Sequence, residues 1–156
     1  MSDIGVRLRA VEAADLPAFF EQQLDPESNA MAVSRPRDRV AFDAHWGKIL
    51  ADPRIAARAI LADGELAGQI SVFPMDGMDA VGYWIARRWW GRGVATRALA
   101  LLLAEVPTRP LHARVASANG ASIRVLERCG FVEIGRRVSP EDERFPACEE
   151  TLFRLD

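Results

Sequence analysis

Arg88-Trp89-Trp90-Gly91-Arg92-Gly93-Val94-Ala95-Thr96 is the stretch on which the reading of the fold turns. Before it, residues 80–86 alternate as a strand, with Val81, Tyr83 and Ile85 on one face and Gly82 and Trp84 on the other. After it, residues 94–106 carry helical periodicity that ends at Pro107 and Pro110. Glycines at such a junction let the backbone approach a ligand and turn its N–H groups inward. The helix that starts here contributes unpaired N–H groups and the positive end of its dipole. Together these make an anion site suited to a pyrophosphate. Arg87, Arg88, Arg92 and Arg97 concentrate positive charge around it, in a chain whose net charge is −2.

Working outward, residues 56–62 and 65–73 read as strands joined by Asp63-Gly64, a strong hairpin signal, and Pro74 is expected to stop the second of them. Residues 4–10 read as a strand, 13–24 as a helix with Asp15 and Pro17 near its start, and 39–50 as a helix with a broad apolar face. Residues 25–38, with prolines, serines and an asparagine, read as an irregular connection or short helical turns. Beyond the glycine loop come a strand at 111–115 and a helix at 119–129 capped by Gly130. A strand at 131–138, a charged loop and a closing strand at 148–155 complete the chain. The hairpin requires antiparallel pairing, and the strand–helix–strand unit over 80–115 requires a parallel crossover. The expected fold is α/β (α+β mixed): a central mixed, mostly antiparallel sheet with helices on both faces, forming one domain over residues 1–156.

Two other nucleotide-binding readings fail on the same residues. A Walker A loop needs a lysine here, and Lys48 is the only lysine in the chain. A dinucleotide fingerprint needs a third small residue at Thr96 and an acid closing the next strand, and residues 111–118 contain no acid. The pattern R/Q-x-x-G-x-G/A is met at Arg88, Gly91 and Gly93. In its setting, from Val81 to Leu99, it resembles the GNAT superfamily of acyl-CoA N-acyltransferases. The run Asn119 to Phe131, an Asn-led helix ending in Gly-Phe, resembles that family's second signature. Asn119 with Ser122 is most similar to the branch containing the ribosomal-protein N-terminal acetyltransferases.

The resemblance implies a GNAT-like fold and transfer of an acetyl group from acetyl-CoA to a primary amine, a protein N-terminus or a small molecule, by direct attack. It implies that Tyr83, Trp84, Ile85 and Ala86 offer backbone groups to the pantetheine arm and thioester, with the N–H near Ile85 polarising the carbonyl as an oxyanion hole does. Arg88 and the loop amides of Gly91, Arg92, Gly93, Val94 and Ala95 would hold the pyrophosphate, helped by the Thr96 hydroxyl. Asn119 would bond the pantetheine arm. Where many members carry a tyrosine acid for the leaving thiolate, this chain has Leu126. Ser122, one turn earlier, is the nearest replacement. Arg124 and Arg128 either reach the CoA 3′-phosphate or face solvent; Trp89 and Trp90 either line the acyl-CoA mouth or pack on the sheet edge. Asp76, Asp79, Glu65, Glu133 and His45 are the candidate bases, and water-mediated deprotonation needs none of them. Leu126 also keeps a rival reading open: a non-catalytic acyl-CoA-binding module.

Composition bounds the alternatives. Apolar residues make up 49% and charged residues 27%, the range of a globular chain, and a net charge of −2 gives no support for nucleic-acid or membrane-surface binding. The longest apolar run, 98–104, is too short to span a bilayer, and residues 1–10 hold no apolar leader segment, so a cytoplasmic protein is expected. Cys129 and Cys148 read as free thiols, and the isolated His45 and His112 give no metal-ligand spacing, so no metal is expected. A homodimer is compatible with all of this.

Overall fold

The computed structural model describes residues 3–156; Met1 and Ser2, at the head of the expected leaderless single domain, lie outside the described residues. Seven strands form one sheet: β1 (Val6–Ala10), β2 (Ala56–Ala62), β3 (Glu65–Met75), β4 (Met78–Ile85), β5 (Leu111–Ala116), β6 (Val132–Ser139) and β7 (Cys148–Leu155). The helices are α1 (Leu16–Gln23), α2 (Pro26–Ala32), α3 (Arg39–Ala51), α4 (Val94–Glu105) and α5 (Gly120–Arg128). Strand order is β1-β2-β3-β4-β5-β7-β6, antiparallel throughout except for β4 with β5. The mixed, mostly antiparallel sheet expected from the sequence is the one observed. No helix among the described residues is long and apolar enough to cross a membrane.

Neighbouring residues of β2 show how the sheet is covered. Ile60 packs with Val94, Leu99, Leu102 and Phe153 in one apolar cluster, while Ala59 packs with Phe19, Phe42 and Trp46 in another. Successive side chains on a strand point to opposite faces, so α4 covers one face and α1 with α3 the other. The Phe19 and Trp46 rings meet at 5.3 Å between centroids. Burying side chains of this size stabilises the fold by roughly 1.5–3 kcal/mol each.

One open alternative is decided and two local expectations are corrected. Of the two readings for residues 25–38, the short helical one holds: Asp25 accepts the Ser28 N–H at 2.9 Å, Pro26 opens α2, and Val33 ends it in the left-handed region. Pro74 does not stop β3, which runs on to Met75 with Pro74 opposite Asp79. The last β2–β3 pair is Ala56 with Val72, so beyond it β3 has a neighbour on one side only. The Ala86 N–H bonds β3 at the Ala67 carbonyl, and by alternation along the ladder the Pro74 nitrogen points to the vacated side, where no donor is missed. Finally, the helix expected over 13–24 opens with a 3₁₀ turn, Ala13–Asp15, before α1.

The feature that positions the site is the parallel pair. β4 and β5 share a single register pair, Ala80 with His112, and then diverge. From Val81 onward, β4 has no strand beside it on that edge, and a cleft opens through the sheet.

Candidate active site

The glycine loop forms one wall of this cleft. Arg87–Trp89 makes a 3₁₀ turn, and Gly91 and Gly93 take φ of +71° and +78°, a region that a residue with a Cβ enters only under strain. A Cβ at either position would meet no protein atom within 4 Å, so what glycine keeps clear there is space outside the protein. Among the described residues, none of the amides from Gly91 to Thr96 donates to a protein acceptor, and the first helical bond is Arg97 N–H to the Gly93 carbonyl at 3.1 Å. The loop is a nest of free N–H groups at a helix N-terminus.

A cavity of about 320 Å³ runs from this nest along β4. Gly91, Gly93, Val94, Ala95 and Thr96 line it at one end, Tyr83, Trp84 and Ile85 along its length, and Asn119 and Ser122 at the other. Trp89, Trp90, Arg124 and Arg128 also line it, which places both tryptophans at the cleft and both helix arginines toward it. Two expected ligand groups, the Arg88 guanidinium and the Ala86 N–H, are directed elsewhere. The Arg88 guanidinium bonds Glu65 at 2.6 Å and stands 5.1 Å over the Trp89 ring. Arg92 stands 5.2 Å over the same ring, keeping a free amide but aiming its charge at the indole. The Ala86 N–H is taken by the Ala67 carbonyl at 2.8 Å.

That last bond sets the orientation of the whole strand. Since the Ala86 amide faces β3, alternation turns the N–H groups of Tyr83 and Ile85 to the open edge. The Ile85 carbonyl on that edge accepts Trp90 Nε1 at 2.9 Å. The Ile85 N–H therefore projects into the cleft.

At the far end, Tyr83 Oη and Ser122 Oγ lie 2.6 Å apart. Burial pushes the Tyr83 phenol up to about 12, partly opposed by its hydrogen bond to Ser122, so it stays protonated through the neutral range. Ser122 is placed by α5: Asn119 caps the helix, its Oδ1 accepting the Ser122 N–H at 3.2 Å, which leaves its amide nitrogen free toward the cavity. Trp84, from the other face of β4, is anchored by Nε1 donating to the Gln22 carbonyl of α1 at 3.0 Å. Leu126 is 1% exposed within the main apolar cluster.

A second, larger cavity of about 870 Å³ lies against the α1–α3 side and reaches Tyr83, Trp84, Asn119 and Ser122 from there. These residues border both cavities. Of the five candidate bases, only His45 lines this second cavity. Burial, then the charges of Arg37, Arg144 and Lys48, hold His45 down at about 4. Glu65, Asp76 and Glu133 are engaged by Arg88, Arg114 and Arg136. Sequence reasoning missed the Tyr83 hydroxyl, assigning this residue only backbone contacts. Its one signal was that it is the sole tyrosine.

Comparison with known proteins follows the same lines. The family model described as Acetyltransferase (GNAT) domain matches residues 6–132. A Bacillus subtilis (strain 168) protein, YdaF, named as a ribosomal N-acetyltransferase, is 33% identical over 98 residues, 58% of this chain and 54% of that protein. The chain thus spans about half the length of that curated relative. Among solved structures, the fold is shared with spermidine N-acetyltransferase from Vibrio cholerae in complex with CoA and spermine (TM-score 0.82, 18% identity, 96% of this chain and 94% of that one). It is shared equally with Mycobacterium smegmatis RimJ in complex with CoA-disulfide (TM-score 0.79, 23% identity, 98% and 84%).

Proposed function

The chain belongs to the GNAT acetyltransferase family, and from that premise we propose that it transfers an acetyl group from acetyl-CoA to a primary amine, a protein N-terminus or a small-molecule amine, by direct attack in a ternary complex. The observation that carries this reading is the junction of two cavities at Tyr83, Trp84, Asn119 and Ser122. The smaller one begins at a nest of free amides suited to a pyrophosphate and follows a strand edge suited to an extended amide-bearing arm. The larger one admits a second substrate from the other face. A module that only bound acyl-CoA would need no such second approach.

In this arrangement the nest from Gly91 to Thr96 holds the pyrophosphate, and Asn119 offers its free amide nitrogen to the pantetheine arm. The Ile85 N–H polarises the thioester carbonyl as negative charge gathers on its oxygen. The amine adds to the carbonyl carbon, the carbon–sulfur bond breaks, and the thiolate takes a hydrogen bond from Ser122, which accepts one from Tyr83. His45, held near 4, is too weak a base for an ammonium, so the amine's proton passes to water in the open cavity.

Two measurements test the proposal. Acetyl-CoA at about a hundred times its Kd adds on the order of 2.7 kcal/mol of stability, whereas NADH and ATP leave Tm unchanged. Thiol release from acetyl-CoA then depends on an added amine. Stabilisation by NADH and not by acetyl-CoA overturns the reading of the loop; acetyl-CoA binding without thiol release to any amine returns the rival, non-catalytic module.

A further inference from the structure

The larger cavity is lined by more positive charge than its own carboxylates answer. Asp52 is engaged by Arg54 at 2.8 Å and Glu150 by Arg137 at 3.5 Å, while Arg114 is answered by Asp76 at 2.7 Å. Asp142 spends Oδ1 on the backbone N–H groups of Arg144 and Phe145, at 2.8 and 2.7 Å. Arg37 and Arg144 remain, and neither makes an ion pair with any described residue. Arg144 Nη1 donates to the Arg35 carbonyl, but its Nε is enclosed and donates to nothing. The two guanidiniums feel each other: burial, then the charge of Arg37, lowers Arg144 to about 10, partly opposed by the charge of Asp142. Like charges drawn together in a partly dry cavity are unfavourable, and an anion between them reverses the sign.

Both arginines are held by the fold rather than left to wander. Gln23, buried in α1, accepts the Arg37 N–H at 2.8 Å and donates to the Arg37 carbonyl at 2.9 Å. The segment before α3 is tied to the β6–β7 loop by Arg35 N–H to the Arg144 carbonyl at 2.7 Å and Arg35 Nη1 to the Asp142 carbonyl at 2.8 Å. Two stretches remote in sequence thus bring one arginine each to the same cavity, which Tyr83 and Ser122 also line.

We propose that Arg37 and Arg144 bind an anionic group, a carboxylate or a phosphate, carried by the acceptor, and so present its amine to Ser122. The inference deepens the acetyl-transfer reading and rests on it for the position of the amine. The planar guanidinium fork matches both anions. A polycationic amine would meet two positive charges that no ion pair among the described residues engages.

The test compares matched acceptors on the unmodified protein by thiol release. One pair carries a carboxylate or its neutral isostere at the N-terminal residue (Glu-Ala amide against Gln-Ala amide). The other carries a phosphate or not (glucosamine 6-phosphate against glucosamine), and spermidine is run beside them. The charged member of at least one pair should show kcat/KM at least tenfold higher, with spermidine poorest, and the pair that responds identifies the anion. Arg37→Met and Arg144→Met should each raise KM for that acceptor roughly tenfold to a hundredfold while leaving its neutral partner and acetyl-CoA affinity unchanged. Neutral members or spermidine equal to or better than the charged ones overturn the proposal. If no amine releases thiol, the catalytic reading fails. The anion site is then decided separately, by calorimetric titration of the CoA-loaded protein with inorganic phosphate and with succinate. Saturable binding lost in both variants supports it, and absence of binding overturns it.

Discussion

Tyr83→Phe removes one oxygen from the junction of the two cavities and nothing else. The phenol lies 2.6 Å from Ser122 Oγ and is held up at about 12. A phenol of that acidity is not strong enough to hand its proton fully to a thiolate, whose conjugate acid titrates near roughly 8.5 in a simple thiol. Its help is therefore a hydrogen bond relayed through Ser122 to the developing charge, worth about 1.5–3 kcal/mol, or roughly tenfold to a hundredfold in kcat. True general acid catalysis would cost about 10²–10⁴-fold when lost. The expected outcome is a kcat lowered about tenfold, with acetyl-CoA affinity unchanged, because the bond matters mainly once the sulfur carries charge. Losing the hydrogen bond also costs about 1 kcal/mol of stability, a Tm shift of roughly 2–4 °C for a chain of this length. Steady-state thiol release reads kcat, and thermal melts read the rest. Ser122→Ala should cost at least as much, and adding Tyr83→Phe to it should cost no more, since the relay is already broken. A Tyr83→Phe enzyme within twofold of the parent, or a double variant with multiplied losses, refutes the relay.

Gly93→Val should fold but lose acetyl-CoA binding. The residue's φ of +78° makes the substitution cost about 1–2 kcal/mol in backbone strain, and the side chain would project into the space the nest keeps clear, read by calorimetric titration beside a melt. His45 gives a pH signature. Its pKa is depressed from an ordinary 6.5 to about 4, so between these values the unfolded chain binds the proton and the native one does not. Its contribution is complete above about pH 6.5 and is lost as pH falls toward 4, amounting to roughly 2 kcal/mol or less after solvent screening. His45→Gln should flatten that part of the denaturation profile, and an unchanged slope would show that the imidazole is not held neutral. Leu126→Tyr, which would place a phenol one turn past Ser122 on α5, should destabilise by about 1–3 kcal/mol without gaining rate, because Leu126 is 1% exposed in a packed cluster. A faster and equally stable variant would show that the site can accept the phenol.

Much of the chain was legible because its determinants are local. The Asp63-Gly64 hairpin follows from two residues able to take positive φ, and they do so at 49° and 81°. The nest follows from glycines at a strand–helix junction, and α5 from Asn119 at its start and Gly130 at its end, with φ of 93°. Each of these is settled within a few residues, where periodicity and backbone sterics act. Asp25 and Pro26, good cap and first-turn residues, carried the signal for α2 as well, within a stretch that reads either as an irregular connection or as short helical turns.

What depended on distant partners could not be read this way. β7, last in the chain, inserts between β5 and β6, a choice made by which apolar faces meet. Pro74 stays in its strand because β2 has already ended beside it. Tyr83 meets Ser122 across 39 residues, and the stretches bearing Arg37 and Arg144 are joined through Arg35, 109 residues from Arg144. The sequence by itself determined that a glycine nest stands at a strand–helix junction and which strand and helix make it, since turn geometry and helix termini are properties of a short segment. Only the tertiary structure decided which hydroxyls share a proton, where the sheet splits and which charges face the second cavity, because those follow from packing between segments that no local pattern couples.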